Sequence, residues 1–208
     1  MGAPRPLALG GYRFASAEAA LQPASNAPCD YCGIGPTKFQ VALSDATACP
    51  LCHACLNLNR PRIGEEFVLI RLPDAPEAPW LRHVSQADIN DLARSCQLIF
   101  HAHGEPAHMQ QRPKADTPAL RSAWRAFHAL LTLGSGAVDH LDTASPRDLG
   151  AVLTSVMGEP EKRRMAERHL RSVRLLPLGH LYRNGRDIYP DVLDAWLART
   201  GPCPDLPS

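Results

Sequence analysis

An α+β fold with a mainly helical body, stapled near its start by cysteine, is predicted by three observations. Five of the seven cysteines fall within positions 29–55, as Cys29-Asp-Tyr-Cys32 and Cys49-Pro-Leu-Cys52-His-Ala-Cys55. Glu66–Leu72 (EFVLIRL) is a β-branched, apolar run that stops at Pro73, which reads as a strand. Beyond it, apolar residues recur three and four apart in successive windows, the mark of helices with one buried face.

Taken in order, the elements are these. Residues 1–26 are rich in Gly, Ala and Pro, with Tyr12 and Phe14 as bulky anchors, and are expected to lie loosely on the surface. Cys29–Gly35 reads as a knuckle, with glycine where the turn opens. Lys38–Ser44 is a candidate strand. Thr47–Asn57 is a helix start, because Pro50 suits the first helical position, where its missing N–H is not needed. Ser85 and Asp88 form a capping box before Ile89, Leu92, Ala93, Cys96, Ile99 and Phe100, one apolar stripe in which Cys96 is a small buried hydrophobe. Leu120, Ala123, Trp124, Phe127, Leu130 and Leu131 give a second helix, ended by Gly134 and Gly136. Ser145-Pro146-Arg147-Asp148 opens a third, with Leu149, Val152, Leu153 and Val156 inside. A fourth, basic helix spans about Glu161–Val173 and is terminated by Leu175-Leu176-Pro177. The last lies near Pro190–Ala198 and buries Val192, Leu193, Trp196 and Leu197. The domain expectation is one metal-stapled unit over 27–200, with knuckle and helix in 27–60 and strand and helical body in 65–200; 201–208 is a frayed tail.

Composition limits what the chain can be. Its 208 residues carry a formal net charge of +1, which argues against a protein that coats nucleic acid through many phosphate contacts. No apolar run reaches the length of a membrane span, and no apolar core follows Met1–Leu9, so neither a transmembrane segment nor a signal peptide is expected. An odd cysteine count with C-x-x-C pairs suits a reducing, cytoplasmic compartment better than a disulfide scaffold.

The cysteine groups have the spacing of a tetrahedral zinc site, in which sulfurs lie about 2.3 Å from the metal. Cys29 and Cys32 supply one pair. For the second, Cys49/Cys52 and Cys52/Cys55 both have the right spacing; Pro50 favours the former by placing a helix start between the two. A knuckle and a helix start facing each other across one metal make a treble clef. Four thiolates leave no open position for water, so such a zinc is structural rather than catalytic.

The same frame occurs in cysteine-containing HNH nucleases, which need a histidine base and a second metal. Phe39–Asp45 contains no histidine, and His53, Asn57 and Asn59 are the only nearby candidates, so no enzymatic activity is expected. His101, His103 and His108 form a second polar group, read as a solvated loop, and His140, His169 and His180 as incidental.

Several stretches together resemble the IcmJ (DotN) family, a component of the Dot/Icm type IVB secretion system. They are Cys29-Asp-Tyr-Cys32-Gly33, the run Ala48–Cys55 with its third cysteine, Leu69-Ile-Arg-Leu-Pro73 followed by Ser85–Leu92, and Val173–Pro177 leading to the Trp196 helix. The similarity covers about residues 27–200; Pro76, Pro79 and the Ala/Pro-rich start depart from the pattern. What it implies is a non-enzymatic adaptor with a degenerate HNH-like zinc fold. Such an adaptor binds the C-terminal tail of the coupling ATPase together with other secretion adaptors, and is held at the cytoplasmic side of the inner membrane through that partner.

For partner contact, Trp124, Phe127 and Trp196 are the candidate aromatic anchors, and Arg164, Arg168 and Arg171, spaced along one face, the candidate rim. The same arginines, with Lys162, Arg163 and Arg174, motivate one alternative, a nucleic-acid-binding zinc protein such as a small CRISPR effector-complex subunit; the other, an HNH-type nuclease, rests on the shared treble-clef frame.

Overall fold

Among the described residues, three two-stranded antiparallel ladders set out the cysteine region and the body. In the computed structural model, which describes residues 27–34, 39, 41–43, 46–74, 76, 79–156 and 160–200, β1 (Val41–Ala42) pairs with β2 (Thr47–Ala48). The expectations for 1–26 and 201–208, and part of the Lys38–Ser44 strand, lie outside the described residues. Helix α1 (Pro50–Leu56) follows β2 at once, with Cys49 as its N-cap and Pro50 in the first turn. A one-turn helix, α2 (Ile63–Glu66), leads into β3 (Phe67–Arg71). After a 3-10 turn (Pro79–His83) come α3 (Gln86–Ala102), α4 (Pro118–Thr132), α5 (Gly134–Leu141), α6 (Pro146–Val156) and α7 (Pro160–His169). The chain then forms β4 (Val173–Pro177), a hairpin of β5 (Tyr182–Arg183) and β6 (Arg186–Asp187), and α8 (Tyr189–Thr200). The architecture is mixed helix and sheet, with small sheets.

The body is organised around β3 and β4, antiparallel from Phe67↔Pro177 to Arg71↔Val173. Side chains alternate across a strand, so the ribbon has two faces. Phe67, Leu69, Val173 and Leu175 join the cysteines, α1, Tyr189, Val192, Leu193 and Trp196 in one core. Ile70, Leu72 and Leu176 face the opposite way and pack with Ile89, Phe100, Leu120 and Phe127. A two-stranded ribbon exposes a row of unpaired backbone groups on each edge. Here those groups are covered. Leu69 N donates to Ala144 O (2.9 Å) and Arg71 N to Leu133 O (3.1 Å) on one edge. On the other, the buried side chains of Gln86 and Gln97 bond the backbone of Leu175 and Pro177.

Several sequence expectations are corrected. The basic helix ends at His169, and Val173–Pro177 is not its terminator but the partner of β3. α4 ends at Thr132, just before Gly134 and Gly136 as expected, but these glycines also open a further helix, α5, which lies against β3. Leu92 and Val152, expected inside, are 42% and 58% exposed, because the buried stripes of α3 and α6 are narrower than their apolar composition. The β5–β6 hairpin turns on Asn184 and Gly185, both with positive φ (49° and 78°), the conformation an Asn-Gly pair adopts most readily. Among the described residues no helix is long and apolar enough to cross a membrane.

A candidate metal centre

Local hydrogen bonding builds each half of the site. In the knuckle, Gly33 N donates to Cys29 O (2.8 Å) and Cys29 N to Ile34 O (2.7 Å), which folds Cys29 and Cys32 to one side. The second half is a helix N-terminus. Cys49 has the extended backbone of a cap, and its Sγ accepts from Cys52 N (3.5 Å), so the cysteine itself takes the role usually played by Ser or Asp. Asp30 joins the halves: its backbone N–H donates to Thr47 O (2.8 Å), and its carboxylate accepts from Thr47 N (2.6 Å). Sequence reading missed Asp30, whose only signal is an acid between the two knuckle cysteines.

Four thiols converge as a result. The sulfurs of Cys29, Cys32, Cys49 and Cys52 all lie within 4.8 Å of one another, an arrangement that could hold a metal ion. The Cys32 and Cys49 sulfurs are 3.7 Å apart. Metal–sulfur bonds of about 2.3 Å in a tetrahedron require sulfur–sulfur edges of about 3.8 Å, so the donor set has the right size. Cys29, Cys49 and Cys52 are buried and Cys32 is partly so. Four thiols this close cannot ionise independently. Hydrogen bonds from Cys32, Cys49 and Cys52 hold the Cys29 thiol well below its ordinary pKa, while Cys52, bonded to Cys29, Cys32 and Cys49, is pushed well above it. A cation would remove that conflict by accepting all four as thiolates.

Cys55, one of the five candidates, is not among the converging four. It lies a turn further along α1, where its thiol approaches Asn90 Oδ1 (3.9 Å) and burial pushes its pKa up to about 12. Asn90, on α3, places Nδ2 3.6 Å from Cys52 Sγ and 3.7 Å from Cys55 Sγ. His53 stands beside the site on α1; burial, then the Arg60 charge, pull its pKa down to about 4. Asn59 is bonded to Thr154 Oγ1 of α6 (3.1 Å).

The other histidines are dispersed. His101 pairs with Asp194 (2.7 Å), His103 Nδ1 with Ile99 O (2.8 Å) and His140 with His169 O (2.9 Å). His108 stacks on His180, which is held by Asp187 (2.7 Å). Of the partner candidates, Phe127 and Trp196 are corrected: both are core residues, 0% and 3% exposed, and cannot anchor a partner. Trp124 is half-buried against Phe100 and His128, whereas Arg164, Arg168 and Arg171 are exposed. Trp80, in the 3-10 turn, is 63% exposed, the most of any large apolar side chain among the described residues. No family model matches the chain, and neither does any curated protein.

Proposed function

We propose that Cys29, Cys32, Cys49 and Cys52 hold one structural zinc ion in a treble-clef-type module, and that the chain is a binding scaffold rather than an enzyme. The convergence of four largely buried sulfurs, with no histidine or carboxylate among them, is the observation that carries this reading. An all-sulfur tetrahedral donor set suits zinc or iron–sulfur chemistry, and two short-spaced pairs, one on a knuckle and one on a helix start, favour zinc. A zinc with four thiolates contributes folding energy and has no open position for water.

The resemblance to the IcmJ family supports a specific scaffold role: an adaptor in a type IVB secretion coupling complex. Its partner would be the C-terminal tail of the coupling ATPase, which would hold it at the cytoplasmic face of the inner membrane. Exposed Arg164, Arg168 and Arg171 suit an acidic segment of that tail, and Trp80 and Trp124 offer aromatic surface in place of Phe127 and Trp196. Metal analysis should give about one zinc per chain. Calorimetry of the zinc-loaded chain against the tail should show binding that weakens when Arg164, Arg168 and Arg171 are reversed to Glu. Absence of heat at tens of micromolar would overturn the adaptor role. The same arginines support the nucleic-acid reading, and salt-dependent binding of duplex DNA or RNA, without tail binding, would establish it instead.

A further inference from the structure

Three buried amides and carbonyls form a chain of hydrogen bonds whose direction is set by the backbone. Leu175 N–H needs an acceptor and Leu175 C=O needs a donor. Gln86 answers both, with Oε1 2.8 Å from Leu175 N and Nε2 2.7 Å from Leu175 O. That fixes which end of the Gln86 amide is nitrogen. The same Nε2 has a second hydrogen, which it donates to Asn90 Oδ1 at 3.0 Å. Asn90 is thereby fixed in turn, with its Nδ2 turned to the sulfurs of Cys52 (3.6 Å) and Cys55 (3.7 Å). Gln86 is 2% exposed, and Asn90 and Cys52 are fully buried, so no solvent competes for these bonds.

We propose that Asn90 is a positioning residue of the metal centre, donating a hydrogen bond to the Cys52 sulfur in the metal-bound state, with Gln86, itself held by Leu175 of β4, locking its orientation. The inference rests on the reading of the four cysteines as metal ligands. Its content is a polarity. The amide presents a donor to Cys52, as an acceptor-only thiolate requires, and draws charge from that sulfur. Cys55, 3.7 Å from the same Nδ2, also lies within reach of Asn90 Oδ1 (3.9 Å) and can donate its own proton there, as a thiol outside the metal's shell would. Groups that bond a ligand from outside the metal's shell are commonly worth 10–100-fold in metal affinity.

Cobalt(II) and cadmium-113 substitution of the full chain test this. A sulfur-to-cobalt charge-transfer band in the unaltered chain establishes the thiolate centre; its absence would overturn that centre and the relay with it. With the centre established, Asn90→Leu should shift the band to lower energy and weaken metal binding by about 10–100-fold in chelator competition. Cys55→Ala should leave the band in place. An unshifted band and unchanged affinity in Asn90→Leu would overturn the role of Asn90 alone. Should Asn90→Leu not fold, the unaltered cadmium-113 protein decides. A scalar coupling between the metal and an Asn90 side-chain amide proton is expected, and bound cadmium without it would overturn the proposal.

Discussion

Gln86 and Leu175 exchange two hydrogen bonds, amide side chain to backbone, at 2.7 and 2.8 Å across 89 residues of sequence. The side chain does for β4 what a third strand would do: it accepts from the N–H and donates to the C=O of one residue. Gln97 repeats half of the pattern at Pro177 O (2.9 Å), and is itself held by the Tyr189 hydroxyl, which donates to its Oε1 (2.5 Å). Gln86→Leu keeps volume but leaves both Leu175 groups buried without partners. A loss of about 2–4 kcal/mol is expected, read as a lower urea midpoint at unchanged slope.

The cysteines should separate cleanly by substitution. Cys29→Ser and Cys52→Ser remove a ligand, and the expected result is protein that is metal-poor and partly unfolded, because binding energy is folding energy. Cys55→Ala removes only a buried thiol. It should keep a full equivalent of metal and cost about 1 kcal/mol. Metal content and melting temperature, measured on the same samples, check both halves.

Gly179 is a position where a single methyl group should be severe. Its φ is +82°, and an added Cβ would lie 2.3 Å from Ala107 O and 2.6 Å from His108 Cα. The loop before the β5–β6 hairpin therefore rests backbone against backbone on the segment that carries His108. Gly179→Ala combines left-handed strain with a clash that no side-chain rotation relieves. A loss on the order of 3 kcal/mol or more is expected in denaturant unfolding.

Acid should act in part through His53. Its pKa falls to about 4 on folding, because burial and then the Arg60 charge disfavour the imidazolium. The unfolded chain then binds the extra proton. The neutral imidazole's contribution is fully present above about pH 6.5 and is lost progressively down to about pH 4. By pH 5 the difference amounts to about 2 kcal/mol. His53→Gln should show a correspondingly smaller drop in stability between pH 8 and pH 5.

Short-range chemistry was legible and long-range pairing was not. Pro50 and Cys49 announce the start of α1, and Ser85 with Asp88 announces α3, because a cap is complete within four residues. From sequence alone β4 resembles the end of a helix. Its sequence, Val173-Arg174-Leu175-Leu176-Pro177, carries an arginine and follows a basic helix, and the strand that it pairs with lies far upstream. Arg174 is compatible with the ribbon because its guanidinium reaches Val84 O (2.7 and 3.1 Å). The hairpin had a readable signal, Asn184-Gly185, that the helical pattern around it obscured. The buried amides were the hardest. Gln86, Asn90 and Gln97 sit at helical spacing beside Ala93, and on composition such a stripe reads as the wet face of α3. The cysteine cluster, the ribbon edge and Tyr189, all brought in from distant segments, give those amides something to bond.

The pairing of Phe67 with Pro177 also imposes an order on the chain's own manufacture. A polypeptide leaves the ribosome from its N-terminus, so all four converging cysteines emerge well before β4 exists. Until then the edge of β3 that β4 will fill stays open, and nothing orients the Asn90 amide. Closing so distant a contact is slow, and unpaired strands seek other partners meanwhile. The cysteines can therefore converge early, while β4 and then α8, which complete their surroundings, are the last pieces of the body to arrive. The interval between those two events is when a nascent chain of this design is most exposed to aggregation, and when a chaperone would have most to protect.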